Sequence, residues 1–80
     1  MEVSVDISLY PLDKNYEPAI IAFIAKLKAS PFQVVETPLS TQVYGPYDAV
    51  MDFLKEAMRE TFAHPEMAVF NIRFIKGNRA

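Results

Sequence analysis

Proline placement constrains this chain more than any other feature. The six prolines stand at positions 11, 18, 31, 38, 46 and 65, and none interrupts a periodic hydrophobic run. Proline lacks an amide hydrogen and fixes its own φ, so it is excluded from helix interiors and from central strands. The stretches between prolines therefore bound the secondary-structure elements. In the first, Val3, Val5, Ile7 and Leu9 alternate with Glu2, Ser4, Asp6, Ser8 and Tyr10. This is the period of a strand buried on one face only, and Pro11 ends it.

From Tyr16 onward, Ile20, Phe23, Ile24 and Leu27 recur at helical spacing, with Lys26 and Lys28 late in the segment where cations complement the helix dipole. Asn15 is the expected N-cap, and Pro18 falls in the first turn, whose amides have no intrahelical acceptor. Ser30-Pro31 closes this helix. Phe32 to Thr37 is short and β-prone, and its adjacent Val34 and Val35 leave the inward face ambiguous. Pro38-Leu39-Ser40 is a tight connection into Thr41-Gln42-Val43-Tyr44, a strand ended by Gly45-Pro46 that forms a hairpin with the one before. Pro46 at the first helical position and Asp48 in the first turn open a second helix, with Val50, Phe53, Leu54, Ala57 and Met58 on one face. This helix is expected to reach about His64, before Pro65. Phe70, Ile72 and Phe74 then alternate with Val69, Asn71, Arg73 and Ile75 in a last strand ended by Lys76-Gly77-Asn78.

The order strand, helix, strand, strand, helix, strand predicts a ferredoxin-like α+β sandwich. Right-handed crossovers intercalate two strand–helix–strand units into a four-stranded antiparallel sheet of order 4-1-3-2, with both helices on one face. The other face would carry Asp6, Ser8, Tyr10, Gln42, Tyr44, Asn71, Arg73 and Ile75. Because the first and third strands are antiparallel neighbours, the end of one lies beside the beginning of the other. Ser8-Leu9-Tyr10-Pro11 and Ser40-Thr41-Gln42 are therefore expected at one rim, together with the start of the last strand and the N-terminus of the first helix.

Composition narrows the function. At 80 residues, 51% hydrophobic and 22% charged, the chain is expected to be one globular domain spanning 1–80. So small a core, with no disulfide to reinforce it, makes self-association as a homodimer or homotetramer a reasonable expectation. Eight Lys and Arg against ten Asp and Glu, with no basic run, disfavour nucleic acid as a partner. No cysteine is present, which removes thiol nucleophiles and thiolate metal sites together. The first residues carry neither a basic leader nor a continuous apolar run, so no membrane association and a cytoplasmic location are expected.

Candidate chemistry is sparse, and no enzyme activity, metal or cofactor is expected. His64, the one histidine, sits at a helix end where it complements the dipole, and no second ligand or nucleophile accompanies it. Glu56 and Glu60 lie a turn apart beside Lys55 and Arg59, as on a solvated helix face. Met51, Met58 and Phe62 have the spacing of core residues. Tyr10 and Tyr44 are different, because both fall on the face away from the helices, where large rings suit a subunit interface or a stacked ligand. Asp6 on that face would either attract a cationic ligand or pair with Arg73 on the neighbouring strand.

Two motifs, Ser8-Leu9-Tyr10-Pro11-Leu12 and Ser40-Thr41-Gln42-Val43-Tyr44-Gly45-Pro46-Tyr47-Asp48-Ala49-Val50-Met51, resemble those of the YkoF-like family of thiamine- and hydroxymethylpyrimidine-binding proteins. The resemblance extends to Tyr16-Glu17-Pro18 and to Ala68-Val69-Phe70. It implies a ferredoxin-like domain that associates through its sheet and holds thiamine or its pyrimidine precursor without catalysis. Ser8, Tyr10, Ser40, Thr41 and Gln42 are the positions carried over, and Asp6 and Tyr44 join them as candidate ligand-binding residues. Asp6 or Glu36 would then face the thiazolium charge. The alternative is an assembly or regulatory protein that uses the open sheet face to bind another subunit, with no small ligand.

Overall fold

The computed structural model describes all 80 residues. Six elements follow one another as β1 (Glu2–Pro11), α1 (Glu17–Lys28), β2 (Gln33–Glu36), β3 (Thr41–Pro46), α2 (Tyr47–Phe62) and β4 (Ala68–Lys76). The strands form one antiparallel sheet in the order β2-β3-β1-β4. This is the expected 4-1-3-2 order read from the opposite edge, and the architecture is the ferredoxin-like α+β fold.

Alternation in β1 sends Val3, Val5, Ile7 and Leu9 under the helices, where they meet Val43, Phe23, Leu27, Val50, Leu54 and Ala57 in one buried cluster. Each large apolar side chain removed from water in this way contributes about 1.5–3 kcal/mol. Phe70 extends the cluster towards β4, with its ring 5.0 Å from Phe23 and 5.3 Å from Phe62. The ambiguity at Val34 and Val35 resolves by register. Val34 pairs with Val43 on the helix side, and Val35 is exposed opposite Gln42.

Several boundaries differ from the sequence expectation. Asn15 is not the cap of α1; Tyr16 holds that position without a side-chain hydrogen bond. The Asn15 amide instead donates to Asp13 Oδ1 at 3.4 Å in a local turn. Strand β3 does not stop before Gly45-Pro46, because β1 continues to pair with it as Val3↔Gly45 and Glu2↔Pro46. Pro46 is accordingly extended, at φ −61° and ψ 135°, and α2 starts one residue later at Tyr47. Helix α2 ends at Phe62 rather than near His64, since the residue preceding a proline is crowded out of helical geometry. Phe62 is largely exposed rather than buried, and it lines an open groove with Met51, Met58 and Phe74.

Gly45 has a packing reason. A Cβ there would stand 2.9 Å from Phe32 Cδ1 and 3.2 Å from Val50 Cγ2. The Phe32 ring, edge-on to Phe53 at a centroid distance of 5.7 Å, closes the core where β2 meets α2. No helix is long and apolar enough to cross a membrane.

A rim cavity where β1 meets β3

The end of β1 and the beginning of β3 are neighbours, as Ile7↔Thr41 and Asp6↔Gln42 pairing shows. The start of β4 reaches the same rim through Tyr10↔Val69 and Pro11↔Ala68. The β2–β3 turn folds over it, closed by Thr37, whose amide and hydroxyl both donate to the Ser40 carbonyl, at 2.9 and 2.8 Å. Between this turn, the end of β1 and the first half of α1 lies a cavity of about 450 Å³.

The seven candidate residues divide between two environments by how near they lie to the rim: Ser8 and Tyr10 share the open pleat face of Asp6, Gln42 and Tyr44 but reach the cavity at the strand end. Ser8, Tyr10, Ser40 and Thr41 line the cavity. Asp6, Gln42 and Tyr44 do not reach it and lie on the open face of the sheet. Thr41 points to the helix side, because it shares the orientation of its partner Ile7. It is 4% exposed, and its hydroxyl makes no hydrogen bond within the protein, so it is free to pair with a guest in the cavity. Ser8 Oγ makes one long bond, to the Leu39 carbonyl at 3.4 Å. Tyr16, Leu12, Ile20 and Leu39 complete an amphipathic wall that carries no ionised side chain. Sequence reasoning did not single out Tyr16 as part of a site. Its place beside the first helical turn, close to the Tyr10-Pro11 corner, was the signal available.

On the open face, Asp6 is the hub of a hydrogen-bonded group. Its Oδ1 accepts from Ser40 Oγ and from Gln42 Nε2, the latter at 2.8 Å. Its Oδ2 accepts from Arg73 Nη2 at 2.7 Å and Nε at 3.1 Å. Ser40 Oγ in turn accepts from Gln42 Nε2 at 2.8 Å. The Ser40 hydroxyl, then the Gln42 amide, then the Arg73 guanidinium hold the Asp6 carboxyl down from 3.8 to about 2. Every strong acceptor site of Asp6 is thereby occupied, and its charge is balanced within the fold. Pairing with Arg73 is the arrangement adopted, and it leaves Asp6 no free charge to offer a cationic guest. Glu36 is likewise engaged, by Lys28 at 2.7 Å. Asp6 and Gln42 therefore act on the cavity indirectly, by fixing Ser40 at the mouth of the turn.

Tyr44 pairs with Ser4 on the open face, away from the cavity. Ser4 is itself covered by the C-terminal residues, since its Oγ donates to the Gly77 carbonyl at 2.7 Å and accepts from the Arg79 amide at 2.8 Å. Gly77 makes this hook with φ +91°, a backbone region that L side chains disfavour. His64 lies elsewhere, in a smaller cavity of about 280 Å³ between α1 and the α2–β4 loop.

Comparison with solved structures places this geometry among small proteins of the same fold. A Streptococcus pneumoniae protein is 26% identical, with a TM-score of 0.83 over 99% of this chain and 90% of that one. A Thermotoga maritima protein, described as a candidate for thiamine biosynthesis or salvage, is 24% identical with a TM-score of 0.78, over 100% of this chain and 90% of that one. A domain of unknown function from Bacillus cereus is 16% identical with a TM-score of 0.79, over 99% of this chain and 79% of that one. No family model and no curated protein sequence matches the chain.

Proposed function

We propose that this chain is a non-enzymatic binding module of the YkoF-like kind that holds the aminopyrimidine ring of thiamine or of hydroxymethylpyrimidine in the rim cavity. One observation carries the reading: Thr41 presents an uncommitted hydroxyl, and Tyr10 and Tyr16 present uncommitted phenols, around a single amphipathic cavity of about 450 Å³. An aminopyrimidine offers ring nitrogens and an exocyclic amine that hydroxyl groups match, and its flat face stacks on tyrosine. The uncharged wall favours the neutral pyrimidine over the thiazolium, which has only ring faces to lie against. The likeness in fold to the Thermotoga maritima protein described for thiamine biosynthesis or salvage supports this choice of ligand.

Affinity in the micromolar range, about −8 kcal/mol, is expected of so open a cavity. Calorimetric titration with hydroxymethylpyrimidine and with thiamine tests the proposal, and the absence of heat with both overturns it.

A second reading is favoured by Val35, Val69 and Ile75, which are exposed together with Tyr10 on the open sheet face. In that reading the face binds another subunit and no small ligand is involved. Tyr10→Ala and Gln42→Ala separate the two. Lost ligand affinity at constant oligomer size favours the binding module, and dissociation without any ligand effect favours assembly.

A further inference from the structure

Proteins hold a phosphate group with cations or with backbone amides left free at loops and helix ends. The rim cavity offers neither. None of its lining residues is ionised, and the three segments that bound it have spent or lost their amides. In the β2–β3 turn the Thr37 amide donates to the Ser40 carbonyl at 2.9 Å, and the Leu39 and Ser40 amides both donate to Thr37 Oγ1, at 3.3 and 3.2 Å. Pro38 between them has no N–H. At the end of β1, Pro11 has none either, and the Leu12 amide donates to the Met67 carbonyl at 2.8 Å. At the start of α1, Pro18 removes a first-turn donor and the Ile20 amide donates to the Tyr16 carbonyl at 3.4 Å. Glu17 adds a carboxylate to that turn, where the helix dipole alone would favour an anion.

Most hydroxyl donors at the rim are committed in the same way. Thr37 Oγ1 donates to the Ser40 carbonyl, Ser40 Oγ to the Asp6 carboxylate, and Ser8 Oγ to the Leu39 carbonyl. The cations close by are also taken. Lys28 is bound to Glu36 and Arg73 to Asp6, while Lys14 lines no part of the cavity and is flanked in the chain by Asp13 and Glu17. The hydroxyls of Thr41, Tyr10 and Tyr16 remain, and all three are neutral.

We propose that the cavity takes a neutral heteroaromatic alcohol and rejects the phosphate monoester of that same alcohol. The inference rests on the function proposed above and names the form of the ligand that the site selects. A phosphate monoester carries a charge of about −1.5 to −2 at neutral pH. Against an uncharged wall it loses hydration that no protein group replaces. A phosphate on a hydroxymethyl group stands beside the ring, so it enters with the ring or keeps the ring out. At about 450 Å³ the cavity has room for the ester, so charge and not size decides.

Calorimetric titration of the unmodified chain with hydroxymethylpyrimidine, its phosphate ester and its acetate ester tests this selection. The phosphate should bind about a hundredfold more weakly than the alcohol. The acetate adds bulk without charge and should bind within about tenfold of the alcohol. Leu12→Lys, at a lining residue that is 64% exposed, adds a cation at the mouth. It should narrow the preference for alcohol over phosphate about tenfold, and added salt should undo the narrowing. A phosphate that binds as tightly as the alcohol overturns the inference and leaves the proposed function standing. So does an acetate rejected as strongly as the phosphate, because bulk then does the excluding. A folded Leu12→Lys chain with the preference of the parent overturns it as well. A chain that binds neither alcohol nor phosphate overturns the proposed function, and the inference falls with it.

Discussion

Arg73 grips Asp6 across the β1–β4 pair with two nitrogens, Nη2 at 2.7 Å and Nε at 3.1 Å. The same carboxylate accepts from Ser40 and Gln42 on the opposite side. One side chain thus ties three strands and the β2–β3 turn together on the face that has no helix to cover it.

Acid should loosen this tie. The Asp6 carboxyl is held at about 2 against an ordinary 3.8, so its stabilising contribution is complete above about pH 4 and is lost as the pH falls through 2. After allowance for solvent screening around a guanidinium that is 79% exposed, the expected loss is about 1 kcal/mol. Urea unfolding at pH 7 and at pH 2 measures it. Asp6→Asn should lower stability at pH 7 and remove its part of the acid-induced difference.

Thr41→Val tests the cavity without disturbing the fold. The substitution keeps the shape of a residue that is 4% exposed and removes a hydroxyl with no partner inside the protein. Stability should change by less than about 1 kcal/mol, because no internal hydrogen bond is broken. Affinity for hydroxymethylpyrimidine should fall about tenfold, the value of one lost hydrogen bond to a ligand, read by calorimetry.

Gly45→Ala should destabilise the chain by about 1–3 kcal/mol through overpacking. The added methyl would meet Phe32 Cδ1 at 2.9 Å and Val50 Cγ2 at 3.2 Å. Combining it with Phe32→Leu should recover part of the loss in thermal unfolding, since the ring edge is the obstacle.

Phe23→Ala should cost about 3–5 kcal/mol. Phe23 is 3% exposed and packs at a tilt against Phe70, with ring centroids 5.0 Å apart, so its removal leaves a cavity at the meeting point of α1, β1 and β4. In a domain with a core this small, that approaches the whole stability, and partial unfolding at room temperature should be visible in the near-ultraviolet circular dichroism.

The sequence alone carried a great deal of the fold. Val3, Val5, Ile7 and Leu9 could bury one face only as a strand, Phe23 and Leu27 only as a helix stripe, and the prolines marked where each element had to stop. The order of elements then left one compact arrangement, and the Ile7↔Thr41 neighbourhood followed from it. The misplaced ends lay where the local rule met a tertiary partner. Pro46 reads as a helix start in isolation, but β1 has residues left to pair and holds it extended.

The division of roles at the rim was beyond the reach of sequence. Ser8, Tyr10, Ser40 and Thr41 on the cavity, and Asp6, Gln42 and Tyr44 off it, are set by how the β2–β3 turn and α1 close over the strand ends and by a register joining residues some thirty-five apart. Whether Asp6 would meet a ligand or be consumed within the fold depended on which donors arrived beside it. Ser40, Gln42 and Arg73 come from separate parts of the chain, and hydrogen bonding acts over about 3 Å of space irrespective of distance along the chain. Local patterning fixed what each segment could become. Only the folded sheet decided which polar groups satisfied one another and which were left free for something else.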